Sequence, residues 1–305
     1  MLPNQSRATL ARLGWSGSVA AASRLLACLV RQTAGVRASI ANLVFDAPAP
    51  TLDAYARDTR SIAAVYADLL GLEVTTRAEY YRSRDYPADD GDAADHLVLN
   101  PDGPNIAFEP VHGPYSRVRW PEPSSPAQIH LDIAVSDVDA AQRRVVALGA
   151  ELLLDADDHR TYADPVGHPF CLYAGASGPH GRIRRVVFDC VSPRSLADFY
   201  RSVTQAEETL ADSAEWVEIA SPDGSGPSLG FRHTPHVAPV WLDPSRPQQL
   251  HIDYDFVGDS AACGEEVVAL GATRLPYQGG GFVYADPAGH PFCLGRMILR
   301  ETSPP

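Results

Sequence analysis

Tyr162-Ala163-Asp164-Pro165-Val166-Gly167-His168-Pro169-Phe170-Cys171 returns 122 residues later as Tyr284-Ala285-Asp286-Pro287-Ala288-Gly289-His290-Pro291-Phe292-Cys293, with nine of the ten residues unchanged. Working outward, His130-Leu131-Asp132 recurs as His251-Ile252-Asp253, and Ala147-Leu148-Gly149-Ala150 as Ala269-Leu270-Gly271-Ala272. Trp120 pairs with Trp241, and Pro101-Asp102-Gly103 with Pro222-Asp223-Gly224, at nearly the same interval. Order and spacing are both kept, so the chain is an internal duplication with a period longer than that of a solenoid.

Each copy reads as strand, helix and three strands, twice over. In copy one, 40–45 alternates as a strand and 61–70 carries helical periodicity up to Gly71, a C-cap candidate. Strand patterns follow at 73–81, 96–99 and 105–111, with the Pro101-Asp102-Gly103 turn before the last. The second half starts with a strand at 129–135, continues with a helix at 137–148 and closes with strands near 152, 161 and 170. Copy two repeats the plan over 184–294, its first helix opened by Ser192-Pro193. The expected fold is α+β, built of tandem βαβββ modules in two domains of two modules each, at 37–176 and 182–298.

Composition narrows the function. The 305 residues carry 38 acids against 25 bases and a net charge of -13, and every base is Arg because the sequence has no Lys. An acidic chain is a poor match for nucleic acid or anionic lipid, so small molecules are the expected partners, with an oligomer possible. Without Lys, Schiff-base catalysis through a lysine amine is excluded. Five cysteines without CxxC spacing fit a reducing cytoplasm better than a disulfide framework. Residues 1–36 hold four Arg and no acid, and form an extension outside both domains, weakly ordered or helical. Its apolar stretch 19–30 is broken by Arg24 and is shorter than the roughly 20 residues a membrane span needs.

Phe188-Asp189-Cys190, Leu196-Ala197-Asp198-Phe199-Tyr200, His251-Ile252-Asp253 and Asp286-Pro287-x-Gly289-His290-Pro291-Phe292-Cys293 resemble the glyoxalase/bleomycin-resistance/dioxygenase (vicinal oxygen chelate) superfamily, in its glyoxalase-like subgroup. The likeness is weaker around 47–59, where copy one carries an apparent insertion. The resemblance implies curved sheets closing around a cup, with metal ligands on the first, fourth, fifth and eighth strands. Those positions hold Asn42, Glu109, His130 and Cys171 in copy one, and Arg185, Arg232, His251 and Cys293 in copy two.

Strand alternation assigns the faces without the family. Leu43, Phe45, Ile106, Phe108, Leu131, Ile133, Phe170 and Leu172 should pack under the helices. Asp46, Asp132, Tyr173, Arg185, Asp189, Arg232 and Asp253 then face the cups as ligand-binding candidates, with Trp120 and Trp241 as walls or lids. The two Arg could hold a carboxylate, or be spent on Asp189, Asp253 and Asp255. An ion set of Glu109, His130 and Cys171 would suit zinc, iron, manganese or nickel in copy one, while two guanidiniums argue against a cation in copy two. His168, His290, Asp164 and Asp286 read as turn residues.

Three functions fit. The first is a metal-free protein that binds a small organic molecule in a cup whose metal site is degenerate. The second is a divalent-metal lyase, isomerase or dioxygenase with its site in the first domain. The third is an acid–base enzyme using His130 or His251 beside its neighbouring Asp. The first is the leading expectation, with no cofactor.

Overall fold

The computed structural model describes residues 38–82, 96–100, 103–111, 119–120, 128–221, 226–234, 248–256, 259–276 and 282–295. The expectations for 1–36 and Trp241 lie outside them. The first module comprises β1 (Ala38–Pro48), α1 (Leu52–Leu70), β2 (Glu73–Thr76), α2 (Arg77–Arg82), β3 (His96–Leu99) and β4 (Asn105–Val111). The second comprises β5 (Ile129–Val135), α3 (Val138–Ala147), β6 (Glu151–Asp155), β7 (His159–Ala163) and β8 (Pro169–Ala174). The third comprises β9 (Arg182–Cys190), α4 (Pro193–Thr204), β10 (Thr209–Asp212), β11 (Trp216–Ile219) and β12 (Ser228–His233). The fourth comprises β13 (Leu250–Phe256), α5 (Ser260–Ala269), β14 (Thr273–Arg274), β15 (Phe282–Ala285) and β16 (Pro291–Leu294).

Two expectations for the first module need correction. Its helix starts at Leu52, not Ser61, because Thr51 accepts a hydrogen bond from Ala54 N (3.2 Å) and caps it. The apparent insertion at 47–59 is therefore largely helix. The strand expected over 73–81 ends at Thr76, where Thr76-Arg77-Ala78-Glu79 forms a capping box. Glu79 N donates to Thr76 Oγ1 (3.2 Å) and Thr76 N donates to Glu79 Oε2 (3.0 Å), which starts a short helix.

The sheets cross the repeats. One eight-stranded sheet has the order β14-β15-β16-β13-β1-β4-β3-β2, and the other β10-β11-β12-β9-β5-β8-β7-β6. The first module thus shares a sheet with the fourth, and the second with the third. β1 runs antiparallel to β13 and β5 antiparallel to β9. Each repeat still keeps its own packing across the layers. Tyr66 meets Phe170 at 5.8 Å and Arg144 bonds Asp68 at 2.8 Å in repeat one, while Phe199 meets Phe292 at 6.0 Å and Tyr200 donates to Asp286 at 3.0 Å in repeat two.

The two repeats meet as a homodimer would, through a self-complementary contact. Gln128 N donates to Gln249 Oε1 (3.0 Å) and Gln249 N donates to Gln128 Oε1 (3.2 Å), two residues 121 apart exchanging the same bond. The eight residues assigned to the helix side are at most 1% exposed and belong to one contiguous core. Val44 and Ala107, on the other face, join Tyr80 and Leu97 in a separate small cluster. No helix among the described residues is long and apolar enough to cross a membrane.

Candidate functional site

Crossing the sheets builds two equivalent constellations, each drawn from both repeats. On the first sheet, Asn42 and Asp46 of β1 and Glu109 of β4 meet His251 and Asp253 of β13 and Cys293 of β16. On the second, Arg185 and Asp189 of β9 and Arg232 of β12 meet His130 and Asp132 of β5 and Cys171 of β8. The registers correspond: Asp46 pairs with Glu109 as Asp189 pairs with Arg232, and Asn42 faces Asp253 as Arg185 faces Asp132. Even the irregularities agree. A register shift leaves Ala41 as the extra residue on β1 and Arg184 as the extra residue on β9. The His, two Asp and Cys are common to both sites; Ala41, Asn42 and Glu109 of one stand where Arg184, Arg185 and Arg232 stand in the other.

The first constellation is a carboxylate site. His251 Nε2 lies 3.6 Å from Glu109 Oε2 and 3.6 Å from Asp253 Oδ1, and its Nδ1 lies 3.9 Å from Asp46 Oδ1. Gln248 Nε2 joins Asp46 Oδ1 (2.9 Å) to His251 Nδ1 (3.1 Å), which holds the ring with Nε2 toward the other two acids. Asn105 Nδ2 donates to Asn42 Oδ1 (3.3 Å) and Asn42 Nδ2 donates to Asp253 Oδ2 (3.1 Å). None of the three acids pairs with an Arg among the described residues. Burial and the neighbouring Glu109 push the Asp46 carboxyl well above the usual range, against the Gln248 hydrogen bond. Burial, then Asp253 and Glu109, push the Cys293 thiol up.

The second constellation is a guanidinium site. Arg185 Nε donates to Asp132 Oδ2 (2.8 Å) and its Nη1 to Glu218 Oε2 (3.0 Å), while Ser228 Oγ holds Glu218 Oε1 (2.7 Å). Arg232 grips Asp189 through Nε and Nη2, both at 2.8 Å. The Arg185 guanidinium sits between two rings, 5.2 Å from Tyr173 and 5.1 Å from Trp216, and Arg184 lies 5.4 Å from Tyr173. Burial, then Arg232 and Arg185, hold His130 well below its ordinary value and keep it neutral. Burial pushes the Cys171 thiol up to about 12. Asp164 and Asp286 are turn residues as expected: Asp164 Oδ1 accepts from the backbone of Val166, Gly167 and His168, and each Asp holds its His at 2.8 Å.

Several site expectations regroup. Glu109, His130 and Cys171 do not assemble as one ion set, because β4 and β5 belong to different sheets; Glu109 joins His251, and His130 and Cys171 join the Arg residues. Arg232 pairs with Asp189 as anticipated, but Arg185 pairs with Asp132 and Glu218, and Asp253 lies in the other site. Trp120 is half-buried. Sequence reasoning missed Gln248, Glu218, Trp216 and Arg184. Strand parity on β11 places Glu218 beside Gly230, but Gln248 lies before its strand and Arg184 turns inward only through the bulge.

The Glyoxalase-like domain family matches residues 49–173 and 185–295. No curated protein matches the chain. Among solved structures, glyoxalase I from Zea mays is similar over 85% of this chain and 92% of its own, with a TM-score of 0.53 and 15% identity. A putative dioxygenase from Bacillus subtilis is similar over 85% of each chain, with a TM-score of 0.52 and 12% identity. At these identities the likeness shows the fold alone. With the family matched in both repeats and the sheets built of paired βαβββ modules, the chain belongs to the glyoxalase-like domain family of the vicinal oxygen chelate superfamily.

Proposed function

We propose that the chain acts on a small oxygen-bearing organic molecule at the carboxylate site, with a divalent metal ion held by His251, Glu109 and Asp46, whose ligand atoms lie within 4.8 Å of one another. The observation that carries this reading is three carboxylates converging on one buried imidazole with no guanidinium to neutralise them among the described residues. Nitrogen and oxygen ligands at about 2.0–2.2 Å around one tetrahedral ion lie roughly 3.4 Å apart. The 3.6 Å from His251 Nε2 to Glu109 Oε2 is close to that span and too long for a hydrogen bond. This favours the metal-dependent alternative over the metal-free reading that the sequence put first.

When bound, such an ion polarises a substrate carbonyl or acidifies a coordinated hydroxyl. The remaining work belongs to the chain. Gln248 fixes the His251 ring, as groups behind a metal ligand do. Glu109, with 37% of its side chain exposed, stands at the mouth, and His251, at 4%, at the floor. Asp46, whose carboxyl is pushed up, would give up its proton as the ion is taken up. The burial of Asp46, His251 and Asp253 favours lyase or isomerase chemistry on a small substrate.

Elemental analysis of protein purified without a tag or chelator tests the reading. About one equivalent of zinc, manganese, iron or nickel is expected, lost in Glu109→Gln/Asp46→Asn and kept in His130→Gln. Protein that stays metal-free after incubation with each ion sinks the proposal.

A further inference from the structure

The guanidinium site occupies, on the second sheet, the place that the carboxylate site occupies on the first. Its acids are neutralised internally. Arg184, Arg185 and Arg232 stand against Asp132, Asp189 and Glu218, whereas the carboxylate site has three acids and no Arg among the described residues. A metal ion has no charge to draw it there, although His130, Asp132 and Cys171 lie close enough to hold one.

The internal bonds do not use every group. Asp132 is 1% exposed and its Oδ2 is held by Arg185, yet its Oδ1 has no partner; it faces His130 Nε2 across 3.7 Å, beyond hydrogen-bond range. His130 is 6% exposed, and its Nδ1 is also without a partner. Arg185 spends Nε and Nη1, and Arg232 spends Nε and Nη2, so each keeps one terminal nitrogen unspent among the described residues. A buried carboxylate oxygen left unpaired has given up its water without gaining a hydrogen bond in return. An orphan acceptor beside two unspent donors is the outline of a ligand that supplies one hydrogen and accepts others.

The surroundings are pre-set. Tyr173 and Trp216 clamp the Arg185 guanidinium from two sides, and the Glu218–Ser228 bond fixes its far edge. Gly230 lets the Trp216 ring lie close, since a Cβ there would fall 2.5 Å from Trp216 Cη2. Arg232, with 33% of its side chain exposed against 2% for Asp189, stands at the mouth.

We propose that the guanidinium site is a second, metal-independent binding site for a small hydroxycarboxylate. Its carboxylate takes the free nitrogens of Arg185 and Arg232, and its hydroxyl donates to Asp132 Oδ1. Three guanidiniums replace Ala41, Asn42 and Glu109, so this site recognises by fixed cations what the other would hold through an ion. The two sites then take ligands independently.

The test is a titration of the full chain with glycolate, followed by calorimetry and Trp fluorescence, with acetate and hydroxyacetone as comparators. Glycolate should bind saturably and at least about tenfold more tightly than acetate, which leaves Asp132 unpaired, or hydroxyacetone, which lacks the charge. Arg232→Met should weaken it at least tenfold, while Glu109→Gln and metal removal leave it unchanged. Should Arg232→Met fail to fold, Asp132→Asn should erase the preference for glycolate over acetate. Absence of saturable binding, loss of binding in Glu109→Gln, or a preference kept in Asp132→Asn overturns the proposal.

Discussion

Of the three positions at which the sites differ, two decide their chemistry. With His, two Asp and Cys common to both, Asn42 against Arg185 and Glu109 against Arg232 decide whether acids stand exposed to a cation or are already matched. The same change sets the histidines apart. His251 is bonded by Gln248 and faced by acids, whereas His130 is buried beside two guanidiniums and held neutral. A group whose folded pKa lies below its unfolded value binds fewer protons when folded. Its contribution is therefore full above the ordinary 6.5 and is lost as pH falls from there through the lowered value. Melting temperature measured from pH 7.5 to 5 should fall for the native chain and fall less for His130→Gln. Equal slopes would show that His130 charges freely in the fold.

At the scale of elements, the strands carry the sites by register and by one bulge each. β9 and β12 set Arg185 and Arg232 at the positions that β1 and β4 give to Asn42 and Glu109, and the bulge on β9 brings in Arg184. β12 also needs a residue without a side chain where the Trp216 ring crosses it. Gly230→Ala should push that ring off Arg185, shift the Trp emission and weaken glycolate binding about tenfold, with metal content unchanged. Unaltered emission and affinity would place the indole outside the binding site. Most of this level was legible in the sequence: alternation put Leu43, Phe45, Ile106, Phe108, Leu131, Ile133, Phe170 and Leu172 under the helices, and the structure buries all eight. The helical turns over 52–60 were missed because their apolar spacing is sparse and the family likeness fades there. The short helix at Arg77–Arg82 was missed because β-branched Val74, Thr75 and Thr76 mask a capping box that follows at once.

The pairing of modules decides the site at the scale of the whole molecule, and periodicity does not reach it. A repeat tells which segments are equivalent; it leaves open whether β1 is completed by β5 of its own copy or β13 of the other. The structure takes the second course, and the reciprocal Gln128–Gln249 bonds mark the junction. Residues read from sequence as one set of ligands therefore divide between the two sheets. Glu109 belongs with His251, and His130 with Arg185 and Arg232. The consequence is a division of labour: joined this way, the two copies concentrate unmatched acids on one sheet and Arg184, Arg185 and Arg232 on the other.

The most direct test of that division is a manganese titration of isotopically labelled protein followed by NMR. Paramagnetic broadening should appear first around Asp46, Glu109, His251 and Asp253 on β1, β4 and β13, while His130, Asp132, Arg185 and Arg232 stay sharp. Broadening centred on His130 and Asp132, or none beyond scattered surface acids, would contradict the assignment of the metal to the carboxylate site.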